Sequence, residues 1–148
     1  MNIVDRFRAF LTLTEDDTDE KAACIMNLVC KPENINARDK GERTPLMWAC
    51  DANRIDIVHQ LIDNGANVNA CRCVNAEGEY LLFDNVLCHA LDKPEIFQLL
   101  VTHGADVNQN EGTVFFEALE IGYGFDVMKM VLNEYACAET WTRCGYPA

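Results

Sequence analysis

Cys71-x-Cys73 and the pair Cys88-His89 form the most suggestive gathering of thiol and imidazole side chains in the chain. Zinc takes four such ligands in a tetrahedron, and the spacing that makes a site legible in sequence is a pair of C-x-x-C steps. That pair is missing here, so packed or surface thiols are the expectation, and no metal or other cofactor is expected. His59 and His103 fall on or just after amphipathic stretches, where ordinary surface contacts are commoner than catalysis. No Gly-rich phosphate loop follows a strand, and neither Gly-x-Ser-x-Gly nor His-Glu-x-x-His occurs. No catalytic residue is therefore assigned, and an enzyme is not expected.

Charge is the other chemically suggestive feature. The chain holds 12 Lys and Arg against 24 Asp and Glu, for a formal net charge of -12. The imbalance is uneven: residues 1–74 carry 9 basic and 12 acidic side chains, residues 75–148 only 3 and 12. Affinity for nucleic acid rests on neutralising phosphates with Lys and Arg, so a nucleic-acid partner is not expected. A basic protein is favoured instead, with solubility as the plainer use of the charge. No apolar run approaches the ~18 residues of a membrane span, and MNIVDRFRAF has no secretory pattern. A cytoplasmic location and no membrane partner are expected. Cys24, Cys30, Cys50 and Cys88 sit inside apolar helical patterns among the 8 cysteines, which reads as reduced core thiols rather than a disulfide framework.

These side chains must be positioned by something, and the stretch GERTPLMWACDANRIDIVHQLIDNGANVNA from Gly41 shows what. A polar turn, Asp39 to Arg43, leads to Thr44, a capping residue, and Pro45, which loses no needed hydrogen bond at the first helical position. A short helix through Leu46, Trp48, Ala49 and Cys50 is interrupted at Asn53 and Arg54. Ile55, Val58, Leu61 and Ile62 then mark a one-sided amphipathic helix that ends at Gly65. Neither helix is long enough to be stable alone, so each must stack on a neighbour. The ending recurs: Asn36, Asn69 and Asn108 close related segments, the first two 33 residues apart. A fixed period of that size marks stacked supersecondary units.

With Asp39, Thr44-Pro45-Leu46, Ala49, Ile57-Val58, Leu61-Ile62 and Gly65-Ala66-Asn67-Val68-Asn69, the second unit resembles the ankyrin repeat. It departs where Met47 replaces the family's usual His and where Gly41 sits one place early. The resemblance implies one all-α domain over residues 1–148, a helix-pair solenoid of about four units at 1–38, 39–70, 71–108 and 109–137 with a tail at 138–148. The outer units act as caps. Helices are expected in IVDRFRAFL and DEKAACIMNLVC, with the acidic run EDDTDE as a solvated loop between them. Trp141 is expected to fold back on the last helix. In the third unit, Leu87 and Ala90 align with Leu46 and Ala49 only if the inter-helix loop loses two residues. The segment before them is then about eight residues longer than a standard finger, on the face such proteins use for binding.

The resemblance further implies a protein-binding module whose concave face presents Lys40, Glu42, Arg43, Trp48 and Asp51, then Glu77, Glu79, Tyr80 and Asp92, then Glu111, Glu117 and Glu120. Trp48 could instead wedge between stacked units. Size and acidity suggest a small stand-alone inhibitor, such as an immunity-type protein that neutralises a basic toxin or nuclease, or an antagonist of a host factor. A bridging adaptor or assembly subunit is the alternative. The free chain is expected to be a monomer.

Overall fold

The computed structural model describes residues 2–12, 19–76, 80–110, 113, 114, 117, 118 and 129. Helix α1 (Ile3–Leu11) starts at Asn2, whose side chain accepts from the Val4 N–H, and α2 (Asp19–Val29) runs back beside it. Helices α3 (Pro45–Asp51) and α4 (Ile55–Asp63) form the second pair. Thr44 caps α3 by accepting from the Met47 N–H at 3.4 Å, with Pro45 just inside the start. Between α3 and α4 the chain turns at Asn53 with φ +56°, a left-handed conformation that Asn tolerates better than most residues. The run EDDTDE and Trp141 lie wholly or mostly outside the described residues.

Helix α4 ends in a Schellman motif. The Ala66 N–H donates to Leu61 O at 2.9 Å, the Gly65 N–H donates to Ile62 O, and Gly65 takes φ +91°. Helix α5 (Pro94–Thr102) ends identically at Gly104, with φ +90° and the Ala105 N–H on Leu100 O. In both copies a left-handed glycine closes the helix and swings the chain into a return that itself turns, the Ala70 N–H donating to Asn67 O and the Gln109 N–H to Asp106 O, both at 3.2 Å.

The third unit differs from the second in two ways. Strand β1 (Cys71–Ala76) pairs antiparallel with β2 (Tyr80–Asn85), with Cys71 opposite Asn85 and Ala76 opposite Tyr80. This is the lengthened finger. Its first helix is reduced to a 3-10 turn at Cys88–Ala90. The Asn85 side chain accepts from the Cys88 N–H at 3.1 Å, as Thr44 does for Met47, so the two units align at Asn85 and Thr44. The loss of two residues before α5 then leaves no room for a full α-helical turn.

One apolar core threads all the units. Phe7, Val29, Leu46, Ala49, Val58, Leu61, Leu87, Ala90, Phe97, Leu100 and Ala118 belong to a single cluster of buried side chains. Helix α1 packs on α3 and α3 on the 3-10 turn, while α4 packs on α5, giving two stacked rows. Side-chain amides tie successive returns together. Asn36 Oδ1 accepts from the Asn67 N–H and Asn69 Oδ1 from the Asp106 N–H, both at 2.8 Å, and Asn69 Nδ2 donates to Gly104 O at 3.1 Å. The equivalent Asn108 Oδ1 is buried with no partner among the described residues.

Candidate functional site

The inner row and the base of the finger meet around Trp48. Asp39, only 8% exposed, organises the turn before α3: its Oδ1 accepts from the N–H groups of Gly41 and Arg43, and its Oδ2 from the Trp48 indole at 2.8 Å. Burial alone would raise its pKa. Those three donors, with the Arg43 charge, hold it below the usual carboxylate range instead. The indole is thereby pinned at its nitrogen while its face stays half-buried. The Arg43 guanidinium lies 4.5 Å and that of Arg8, from α1, 5.2 Å from the Trp48 ring centre. Cation–π attraction at such partly exposed sites is worth about 0.5–1 kcal/mol each.

From Arg43 a line of charged contacts runs to the finger. Arg43 Nη1 pairs with Asp51 Oδ2 at 2.8 Å, and Asp51 Oδ1 lies 2.7 Å from His89 Nδ1. His89 Nε2 lies 3.1 Å from Asp84 Oδ2, within ion-pairing reach but poorly aligned for a hydrogen bond. Arg72 Nε completes the line on Asp84 Oδ2 at 2.6 Å, and Arg72 Nη1 donates to Gly41 O at 3.0 Å. Burial of His89 disfavours its charge, but the two carboxylates outweigh that and raise its pKa to about 9. At neutral pH it is an imidazolium bridging α3 to β2. Asp84 is pushed up by its own burial, then held below the usual carboxylate range by His89 and Arg72.

Beside this network lies an open groove of about 380 Å³, lined by Arg8, Leu11, Thr12, Trp48, Asp51 and Ala52. It runs between the C-terminal ends of α1 and α3.

The expected contact residues are distributed unevenly. Arg43, Trp48 and Asp51 come together here. Lys40 and Glu42 are exposed in the preceding turn, where Glu42 rather than Gly41 takes the left-handed conformation, with φ +61°. Asp92 pairs with its neighbour Lys93, and half-buried Glu117 lies against the Cys88 thiol, whose pKa burial raises first and Glu117 raises further. Tyr80 opens β2, opposite Ala76, and its side chain is not described. Glu77, Glu79, Glu111 and Glu120 lie outside the described residues. Arg8, Arg72, Asp84 and His89 were not among the expected contact residues, His89 having been weighed only as a metal ligand. His89 and Asp84 were within reach of sequence reasoning, because matching Asn85 to Thr44 places them level with Trp48 and Arg43.

Of the thiols and imidazole weighed for zinc, the Cys73 side chain lies outside the described structure. His89 is committed to carboxylates, and no grouping of metal-binding side chains stands out among the described residues.

The ankyrin repeat family model matches residues 41–72, the unit built from the finger turn, α3, α4 and the return. An ankyrin repeat protein of Acanthamoeba polyphaga mimivirus is 30% identical over 120 residues, which cover 78% of this chain. The chain is an ankyrin-repeat protein. It spans only 15% of the length of that viral relative. Ankyrin repeats are protein-protein interaction modules. No helix among the described residues is long and apolar enough to cross a membrane.

Proposed function

We propose that the chain binds one partner protein across the face where α1, α3 and the finger meet, and that it acts as an inhibitor or immunity-type antagonist by covering the partner's working surface. The observation that carries this reading is the presentation of Trp48: a large aromatic ring pinned by Asp39, flanked by two guanidiniums and set at an open groove. Aromatic and Arg side chains at the centre of a surface are the usual anchors of binding energy. The mechanism is steric and needs no catalytic group. The net charge of -12, concentrated after residue 74, favours a partner with a basic region and would speed encounter.

Affinity capture from the native cell extract tests the reading, comparing wild type with Trp48→Ala and with a charge-reversed Glu77→Lys, Glu79→Lys, Glu117→Lys and Glu120→Lys variant. One basic protein captured by wild type, lost by both folded variants and inhibited in its own assay is the expected result. Capture that survives both changes, or a footprint confined to α2, α4 and α5, overturns it. Simultaneous binding of two partners would favour the bridging adaptor.

A further inference from the structure

Resting on that reading of the inner face, we propose that the groove between α1 and α3 is a subsite for an acidic-apolar segment of the partner: a large apolar side chain with an Asp or Glu close by in sequence. The apolar side chain lies against Leu11, Ala52 and the Trp48 ring, and the carboxylate pairs with Arg8.

The local charge argument is opposite in sign to the global one. Asp51 faces the groove but both its oxygens are spent, one on Arg43 and one on the His89 imidazolium. Asp39 is equally committed, to two backbone N–H groups and the indole. Arg43 is paired with Asp51. Arg8 differs: it is exposed, stacks on Trp48, and pairs with no carboxylate among the described residues. A planar guanidinium laid on an aromatic ring keeps its edge free for two parallel hydrogen bonds, the geometry a carboxylate takes best. In the network beside the groove the cations Arg43, His89 and Arg72 are matched by the carboxylates Asp39, Asp51 and Asp84, so the unspent charge at the groove is that of Arg8 and is positive.

Volume and lining set the other half of the ligand. About 380 Å³ is at the small end of the ~300–1,000 Å³ typical of ligand pockets, enough for one large side chain and its neighbour rather than for a helix. The polar groups around it are already satisfied, apart from Arg8, so the walls reward apolar burial. With the basic groove in the first half of the chain and the acidic excess in the second, the complementary partner surface is polarised: acidic-apolar at one end, basic at the other.

The test is selection of a random heptapeptide library displayed on phage against the full chain at physiological salt, followed by calorimetric titration of one synthesised consensus peptide. The expected consensus pairs Leu, Phe or Met with Asp or Glu within two positions. Arg8→Glu is expected to weaken the peptide at least tenfold, and Ala52→Phe, which fills the groove without changing charge, to weaken it comparably. Arg8→Lys keeps the charge without the planar fork and should cost a smaller factor. Both Arg8 and Ala52 are exposed, and circular dichroism checks that each variant stays folded. A basic or purely apolar consensus, no enrichment over an unrelated chain, or indifference to Arg8→Glu and Ala52→Phe overturns the subsite. Peptides that instead map to the finger overturn it while leaving the proposed protein-binding face standing, which the capture experiment judges separately.

Discussion

Single side chains here hold more charge chemistry than the composition suggests. His89 gains affinity for its proton on folding, from the ordinary 6.5 to about 9, because Asp51 and Asp84 flank a ring whose side chain is 7% exposed. A raised histidine pKa contributes stability that is fully present below about pH 6.5 and drains away as pH climbs through about 9. Urea titrations are expected to show wild type exceeding His89→Gln by roughly 2–3 kcal/mol at pH 6.5, an amount discounted for the partial exposure of Asp51. The gap should shrink toward pH 9, and a gap constant with pH would mean that the proton plays no part. Comparing the two proteins removes the background of thiols such as Cys50, whose burial raises its pKa to about 12. Glu42 gives a second prediction. Its φ of +61° costs a non-glycine residue about 1 kcal/mol, whereas its side-chain pairing with Arg38 at 3.6 Å is largely solvated. Glu42→Gly is therefore expected to raise the denaturation midpoint by the equivalent of about 1 kcal/mol, since the Arg38 bond to the Glu42 carbonyl survives the change. The family's usual glycine belongs at this position, one place after Gly41.

Elements divide into those that carry the stack and those that stand off it. Asn69 makes side-chain bonds to the next return through both its amide atoms, and Asn69→Ala is expected to cost about 2 kcal/mol in a urea unfolding experiment. The finger is different. Replacing residues 74–82 by Asn-Gly, a two-residue turn suited to the register in which Cys73 faces Phe83, should change stability by less than about 1 kcal/mol. The unfolding midpoints of the two variants check that contrast, and a finger deletion as costly as Asn69→Ala would contradict it. Much of this division was legible beforehand. Thr44-Pro45, the stripe from Ile55 to Ile62 and the Gly-Ala endings specify caps, faces and stops through local chemistry, and the structure places helices and turns accordingly. The hairpin was visible only as extra length, because its pairing depends on two segments meeting rather than on a local signal. The 3-10 turn at Cys88–Ala90 was hidden for a similar reason: its apolar pattern suits a helix, and only the shortened connection to α5 denies it the room.

At the scale of the whole molecule the charge is polarised. The groove residues come from α1 and α3 in the less acidic first half, whereas the second half has 3 basic side chains against 12 acidic. Association with a partner carrying a basic region is expected to slow about tenfold or more between 0.05 and 0.5 M salt, in the association phase of a surface-binding experiment, with a weaker effect on dissociation. An association rate indifferent to salt would make the acidity a matter of solubility alone. Sequence reasoning reached the helices, caps and stops of the second unit and the candidate site only in part: Arg43, Trp48 and Asp51 share one surface, but the pairings that consume Asp51 and leave Arg8 without a carboxylate among the described residues involve residues up to 81 positions from Arg8 along the chain. The amide ladder has a mechanical corollary. Asn36 reaches Asn67 and Asn69 reaches Asp106 across spans of 31 and 37 residues, so six extra residues between rungs leave the same bond in place. Finger length and stacking pitch are decoupled: the finger can be lengthened, shortened or resurfaced as an exchangeable part while the spine beneath it stays in phase.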